Sequence, residues 1–260
     1  MNNNYDFKPE KVKSEIIAWI ADYFANAPAD AKAVIGISGG KDSTVSAALC
    51  VEAIGAKRVI GVLMPQGKQS DIDVSYAVCK HLGIEYVEVN IGETVEALYG
   101  ALRLSSQDVD SLFALSKELP DVLRFNTPAR IRMAVLYGVA ATVNGRVVNN
   151  CNLSETFVGW GTKFGDMAGD FSPIAELTVT EVKAVGRALG LPAQFIDKTP
   201  IDGLCGKSDE EGLGFSYDTL DKYIRQGICE CENDKNRILS LHVCSEHKRN
   251  TIPRFRNSGK

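Results

Sequence analysis

The feature that most constrains the fold is a short apolar run that ends in a glycine-rich turn and continues as a helix. Residues 33–37 read Ala-Val-Ile-Gly-Ile, residues 38–40 interrupt the run with Ser-Gly-Gly, and residues 43–54 have helical spacing up to Gly55. This order of elements predicts a strand, a tight loop and a helix. Such a β-loop-α unit is the opening half of a βαβ crossover, in which the strands pair in parallel.

The same alternation recurs along the chain. Further strands are predicted at residues 58–64, 84–89 and 146–148. Helices are predicted at residues 8–27, 71–82 and 130–143, and after the capping box Thr178-Val-Thr-Glu181 as far as Gly190. Residues 92–143 carry almost no strand signal. Apolar strands separated by helices indicate an α/β fold with a parallel sheet covered on both faces.

Length and composition narrow the class of protein. A chain of 260 residues suits one α/β domain, residues 1–260, and 45% hydrophobic with 24% charged residues is ordinary for a globular protein. The formal net charge of −4 provides no basic field for nucleic acid, and no apolar run approaches the roughly 20 residues that span a bilayer. Seven cysteines without a C-x-x-C pair indicate neither a disulfide framework nor a zinc site. We expect a cytoplasmic protein without nucleic-acid or membrane partners.

The loop after the first strand has the composition of a phosphate-binding site. Two glycines allow the backbone to approach an anion closely, while serine hydroxyls and free N–H groups at the helix start donate to its oxygens. The loop is not a Walker A motif, because Asp42 follows Gly-Lys where that motif has Ser or Thr. The residues predicted to contact the nucleotide are Gly36, Ile37, Ser38, Gly39, Gly40, Lys41, Asp42 and Ser43.

Asp42 adds a constraint of its own. A carboxylate inside an anion cradle repels phosphate unless a cation lies between them, so this position predicts Mg²⁺ bridging Asp42 and a polyphosphate. Glu155 follows the fourth predicted strand and is expected at the same rim of the sheet, where it would complete an oxygen-rich metal site.

At the loop residues the chain resembles the ATP pyrophosphatases, whose S-G-G-x-D-S loop holds the pyrophosphate that leaves when a substrate oxygen is adenylated. Several enzymes share this loop. Five further segments resemble the NAD synthetase family: residues 65–73 (PQGKQSDID), 126–133 (NTPARIRM), 152–155 with 161–170 (NLSE and GTKFGDMAGD), 208–214 (SDEEGLG), and 247–249 (HKR) with Pro253. The resemblance implies an adenine nucleotide alpha hydrolase-like fold.

The resemblance also implies roles for single residues. By this resemblance, the residues expected to contact ATP are Gln69, Asn150, Lys183 and Ile201. Three of them depart from the family pattern. Asn150 occupies the position of a family threonine, Lys183 lies one helical turn after the position of a family lysine, and Ile201 occupies the position of a common Thr or Ser. Contacts to deamido-NAD carry over to Arg130, Lys163, Asp170, His247 and Lys248. The residues expected to be catalytic are Asp42, Lys163 and Asp166, and Asp166 is expected to accept a proton from ammonium. The residues expected to bind the metal are Asp42 and Glu155.

The implied reaction is the ATP-dependent amidation of deamido-NAD through an adenylated nicotinate. Because 260 residues leave no room for the nitrilase-like domain of glutamine-dependent members, free ammonia is the expected nitrogen donor, unless a separate glutaminase supplies it. The family also implies a homodimer, with residues 92–143 as the contact surface.

Two alternatives remain at this point. One is a different ATP pyrophosphatase, either another amidating enzyme or one that modifies tRNA. The other is a non-catalytic nucleotide-binding module on the same scaffold.

Overall fold

A parallel sheet forms the centre of the molecule in the computed structural model, which describes residues 5–69, 71–105, 120–197 and 208–255. Its strands are β1 (Lys32–Gly36), β2 (Val59–Leu63), β3 (Glu85–Glu88) and β4 (Gly145–Val147). They lie in the order β3-β2-β1-β4, and each neighbouring pair is parallel. The predicted α/β fold with a parallel sheet is confirmed.

Helices connect and cover the strands. In chain order they are α1 (Pro9–Ala25), α2 (Lys41–Ile54), α3 (Ile72–Leu82), α4 (Gly92–Ser105), α5 (Asp121–Thr142), α6 (Leu153–Val158), α7 (Val179–Ala188), α8 (Ala193–Ile196), α9 (Asp209–Leu213), α10 (Tyr217–Gln226), α11 (Glu232–Cys244) and α12 (Glu246–Arg249). A 3₁₀ turn, Ala56–Arg58, precedes β2. Across these described segments, no helix combines the length and the apolar character needed to cross a membrane.

Alternate side chains of β1 enter two separate cores, as the two-residue period of a strand requires. Ala33 and Ile35 face a core built with α1, α2, α3 and α7. Val34 faces the opposite side, where it packs with Met133 and Leu136 of α5. Because β1 is central and covered on both faces, the loop that follows it is anchored in the most buried part of the molecule.

The third strand is more exposed than expected for a sheet that is covered on both faces. All four residues of β3 are exposed, with Tyr86 at 48% and Val87 at 42% relative accessibility. Among the described strands it pairs with β2 alone, which places it at the edge of the sheet. Sequence pattern reports apolar character but not the position of a strand within a sheet.

Helix α5 is also longer than the sequence pattern indicated, because it continues through Pro128. Proline cannot donate the helical hydrogen bond to the carbonyl four residues earlier, which is that of Arg124. The hydroxyl of Tyr99 in α4 donates to this carbonyl at 3.3 Å. Support from the neighbouring helix thus compensates for the missing bond.

The close packing of α7 on α2 gives a test of the fold. A methyl group at Gly186 would lie 2.5 Å from Ile196 Cδ1 and 3.0 Å from Val45 Cγ2. We expect Gly186→Ala to lower the free energy of unfolding by about 1–3 kcal/mol, although alanine favours helix. Urea unfolding measures the change.

The matched control is a double-mutant cycle with Ile196→Val, which removes the Cδ1 atom that the new methyl would meet. The cost of Gly186→Ala should be smaller in a chain that already carries Ile196→Val. An equal cost in both backgrounds would show that the predicted overlap is not the cause.

Candidate active site

The conformation of the loop after β1 is fixed by hydrogen bonds among its own residues. Ser38 Oγ accepts from the Gly40 N–H at 3.2 Å and lies 3.1 Å from Ser43 Oγ. Gly39 has a φ of +77°, and a Cβ there would lie 3.2 Å from Val74. This position therefore requires glycine for both its backbone angle and its space.

The loop leads directly into α2, whose N-terminus faces it. The first helical N–H to bond is that of Thr44, which donates to Gly40 O at 3.1 Å. Within the described chain, the preceding N–H groups, those of residues 41–43, have no acceptor. Free N–H groups at a helix start, with serine hydroxyls beside them, form a ready site for a phosphate.

A single asparagine joins the two carboxylates that the sequence placed at the rim. Asn152 Nδ2 donates to Asp42 Oδ1 at 3.0 Å, and Asn152 Oδ1 accepts from the Glu155 N–H at 3.0 Å. The Glu155 carboxylate in turn accepts from the Asn152 N–H, which completes a capping box at the start of α6. The structure thus brings Asp42 and Glu155 together.

The negative charges of Asp42 and Glu155 lie close enough together to favour a cation beside them. Burial, followed by the nearby charge of Asp42, raises the pKa of Glu155 well above its usual range. The ammonium group of Lys41, which is only 4% exposed, pairs with Asp42 Oδ2 at 2.8 Å. Burial acts to lower the pKa of Lys41, but the charges of Asp42 and Glu155 outweigh it and raise that pKa. Lys41 therefore supplies positive charge to a site that is otherwise acidic.

The residues present fit a magnesium ion. In the described segments no cluster of three or more His, Cys, Asp or Glu side chains is arranged to hold a metal. Mg²⁺ usually takes only one or two protein carboxylates and completes its shell with water and substrate phosphate. The partly buried pair of Asp42 and Glu155, next to the phosphate-type loop of residues 37–43, meets that requirement.

The wall of the site next to Lys41 comes from α9 and α10. The Tyr217 ring lies 5.7 Å from Lys41 Nζ, and the Tyr217 hydroxyl donates to Asp209 Oδ2 at 3.1 Å. Burial and the charges of Glu155 and Asp209 raise the pKa of Tyr217, so this hydroxyl stays protonated. Residues 208–214, one of the segments that resemble the family in sequence, thus reach the same site.

A second group of predicted residues gathers around the loop of residues 159–170. Lys163 Nζ donates to the carbonyl of His247, and Lys248 Nζ donates to the carbonyls of Gly159 and Gly161, both at 2.8 Å. The short helix α12 is thereby fastened onto this loop through backbone carbonyls.

Two more predicted residues belong to the same loop. Arg130 Nε donates to the carbonyl of Lys163 at 3.3 Å. Asp166 lies inside the loop, where its Oδ1 accepts from the Thr162 N–H at 2.8 Å. Between them, Phe164 has a φ of +63°, a rare conformation for a bulky residue. Cations and one carboxylate, that of Asp166, therefore lie close together here.

Residues 149–152 connect the two groups. Asn149 Nδ2 donates to the carbonyls of Asp166 and Ala168 at 2.8 and 3.0 Å, while Asn150 Nδ2 donates to Gly36 O at 3.2 Å. The segment after β4 thus touches the last residue of β1, directly before the phosphate-type loop, on one side and the loop of residues 159–170 on the other. The Asn150 Oδ1 atom is buried, and the described residues offer it no donor.

Other predicted site residues have contacts outside these two groups. Asp170 accepts from the Val147 N–H at 2.7 Å and from the Tyr137 hydroxyl at 3.3 Å, so it braces β4. Gln69 Nε2 donates to Asp71 Oδ1 at 2.8 Å. Lys183 lies on α7. Ile201 falls outside the described residues.

Asn149 and Asn152 were not predicted as site residues, although Asn152 is the link between the two carboxylates. The sequence contained a usable signal for it: an asparagine three residues before Glu155 is a capping-box pattern, which places both side chains at one helix start. Asn149 had no comparable local signal, because its partners are 17 and 19 residues away.

The pKa of Asp166 leads to a testable prediction. Burial raises this pKa above its usual range, while hydrogen bonds from Thr162 and the charge of Lys248 act to lower it. A carboxyl whose folded-state pKa is raised destabilises the fold once it ionises. This cost is absent below about pH 4, the unfolded value, and grows as pH rises through the folded pKa.

We therefore expect Asp166→Asn, which keeps the acceptor oxygen for Thr162, to gain stability relative to the natural chain as pH rises. Because Asp166 is accessible to solvent, which screens its charge, the slope should lie well below the limit of about 1.4 kcal/mol per pH unit. Urea unfolding of both proteins between about pH 4 and 8 measures it. A difference that stays constant over this range would contradict the raised pKa of Asp166.

Together, the parallel sheet, the phosphate-type loop after its first strand and the paired carboxylates define a nucleotide-binding protein of the adenine nucleotide alpha hydrolase-like class. The sequence model of one family, described as NAD synthase, matches residues 12–259. The chain belongs to the NAD synthase family.

Individual relatives agree with this assignment. The NH(3)-dependent NAD(+) synthetase of Methanocaldococcus jannaschii is 36% identical over 259 residues, which covers 94% of this chain and 95% of that protein. Among solved structures, an NMN synthetase from Francisella tularensis matches with a TM-score of 0.83 and 30% identity over 96% of this chain and 100% of its own. An NH3-dependent NAD synthetase from Campylobacter jejuni matches with a TM-score of 0.75 and 25% identity, with the same coverage of both chains.

Proposed function

We propose that this protein is an ammonia-dependent NAD synthetase, which uses ATP to convert the nicotinate carboxylate of deamido-NAD into a carboxamide. AMP and pyrophosphate are the other products. Family membership and the many relatives named for this reaction support the assignment. The observation that carries it in this chain is the bridge from Asp42 through Asn152 to Glu155, directly beside a phosphate-type loop.

The first half of the reaction is adenylation. A carboxylate oxygen of the substrate attacks the α-phosphorus of ATP, and the bond to the bridging oxygen of pyrophosphate breaks. The Ser38 and Ser43 hydroxyls and the N–H groups of residues 41–43 hold the leaving pyrophosphate, which removes the need for solvent to stabilise its charge. Asp42 and Glu155 are the residues that would hold Mg²⁺, which offsets phosphate charge when it is bound.

The second half is attack by ammonia on the acyl carbon. The attacking species must have a free lone pair, so a base has to accept a proton from ammonium. Asp166 suits this role, because its raised pKa makes it a better proton acceptor than an ordinary aspartate. Lys163, Arg130 and Lys248 surround the same loop with positive charge that matches the phosphates of a dinucleotide.

A second candidate substrate is the mononucleotide analogue of deamido-NAD. The observation that favours it is the match to the F. tularensis protein, which is named an NMN synthetase and whose TM-score and identity both exceed those of the C. jejuni NAD synthetase. Amidation of the mononucleotide uses the same carboxylate chemistry. The difference lies only in whether the adenosine half of the dinucleotide finds a site.

We also propose that the chain acts as a homodimer. The exposed apolar residues of α5, namely Val122, Phe125 and Tyr137, have a spacing that places them on one side of the helix. An apolar stripe on a surface helix is a common feature of subunit interfaces.

Pyrophosphate release from ATP tests the function. We expect release to require both an ammonium salt and a nicotinate substrate, and to yield the amide in equal amount. Deamido-NAD and nicotinate mononucleotide should be compared at equal concentration, and the higher kcat/KM identifies the substrate. Release of pyrophosphate that is the same without either substrate would refute the proposal, and none under any condition would favour a binding module.

The role of the paired carboxylates gives a second test. Asp42→Asn keeps an acceptor for Asn152 but removes a charge, so we expect turnover to fall by roughly 10²–10³-fold or more. Unfolding temperature should change little. The matched control is Asp73→Asn, an exposed aspartate in the first turn of another helix, α3. Normal turnover of the Asp42 variant across a Mg²⁺ titration would remove the metal role.

A further inference from the structure

Helix α5 carries two arginines of the same motif, Arg130 and Arg132, in different surroundings. Arg130 is exposed and donates to the carbonyl of Lys163. Arg132 is partly buried and points toward the sheet, where its Nε donates to Met64 O at 3.1 Å. Met64 directly follows β2, so the guanidinium lies at the carboxyl end of the strands, the edge where α/β proteins bind ligands.

The Arg132 guanidinium lacks a counter-ion. Among the described residues no carboxylate forms an ion pair with it within 4.0 Å, and its two Nη groups donate no hydrogen bond. Arg225 shows the contrast, because it donates to both oxygens of Glu181 at 2.7 and 2.6 Å. A guanidinium presents a planar fork of donors that matches a carboxylate. In Arg132 this fork is available.

Leaving such a group unpaired is costly. Removal from water lowers the pKa of Arg132 from its ordinary value, and the one charge that acts in the opposite direction is that of Asp166. A partly buried cation without a partner destabilises the folded chain, so a bound anion would relieve this cost. Asp166 contributes to the electrostatic field at Arg132 but forms no ion pair with it within 4.0 Å.

We propose that Arg132 binds the reacting carboxylate of the nicotinate ring and stays with the same oxygen after adenylation. This inference rests on the proposed function and assigns it a further catalytic residue. The acyl carbon must lie close to Asp166 if that residue accepts the ammonium proton. The charge of Asp166 acts on both Arg132 and Lys248, but Lys248 already donates to two backbone carbonyls, whereas the described residues offer no acceptor to the Arg132 Nη groups. We assign the phosphates of the substrate to the three cations that donate to backbone carbonyls, namely Arg130, Lys163 and Lys248.

The steps balance with this assignment. One carboxylate oxygen stays with the Nη groups while the other attacks the α-phosphorus and expels pyrophosphate. Asp166 accepts a proton from ammonium and releases it to water. Ammonia then adds its lone pair to the acyl carbon, the carbonyl electrons move onto the oxygen held by Arg132, and the adduct nitrogen loses a second proton to the Asp166 carboxylate, which is free again. When the carbonyl reforms, the bond to AMP breaks. Arg132 therefore faces the full negative charge of the carboxylate in the first step, and the negative charge that develops on the carbonyl oxygen in the second step.

The test compares two ligands that differ only at the group in question. Deamido-NAD has a carboxylate where NAD has an uncharged carboxamide, so Arg132→Gln should weaken deamido-NAD binding by roughly 10- to 100-fold and NAD binding by less than about threefold. Isothermal titration calorimetry measures both dissociation constants, and ATP should bind as tightly as before. Arg132→Lys, which keeps the charge but not the fork, should restore part of the difference.

The matched control is Arg124→Gln, at an exposed arginine of the same helix; it should leave all three dissociation constants unchanged. Equal weakening for deamido-NAD and NAD, or no weakening, would overturn the role of Arg132, and so would a selective loss of ATP binding. The natural chain serves as the test of the proposed function: if it binds neither deamido-NAD nor its mononucleotide, both proposals fall together.

Discussion

The contact chain from Asp42 through Asn152 to Glu155 is the constraint on which the rest of the site depends. Two carboxylates would repel each other in this partly buried position, yet the asparagine amide donates to one and its carbonyl oxygen orients the helix that carries the other. This bridge joins the first turn of α2 to the first turn of α6, which are more than 100 residues apart in sequence. Lys41 then supplies the nearest positive charge.

The same link explains why the loops on either side are positioned accurately. Residues 149–152 bond to Gly36 at the end of β1, to Asp42 and to the loop of residues 159–170, so the two loops that we propose to face the substrates share one connection after β4. A transfer between two bound substrates requires them to be held within reaction distance. Residues 149–152, which directly follow the end of β4 and include three asparagines, hold the two loops at a set distance from each other.

Much of this arrangement was predictable from local rules, and the parts that were not share a physical cause. Strand, glycine turn and helix at the start of the sheet follow from residue spacing, as does the capping box at Thr178, whose bonds the structure contains. The exposure of β3 and the continuation of α5 through Pro128 depend on neighbours distant in sequence. The contacts of Asp170 with β4 are equally non-local. Periodicity reports what a segment prefers, and not which segment lies beside it.

The attachment of α12 to the loop of residues 159–170 has a consequence for how the protein is made. Lys248 and the carbonyl of His247 fasten a loop that is synthesised more than 80 residues earlier. The sheet and the phosphate-type loop are available as soon as β4 leaves the ribosome, whereas this fastening must wait until residue 249 has emerged. During translation, the half of the site that we propose for the nucleotide can thus assemble well before the half that we propose for the second substrate.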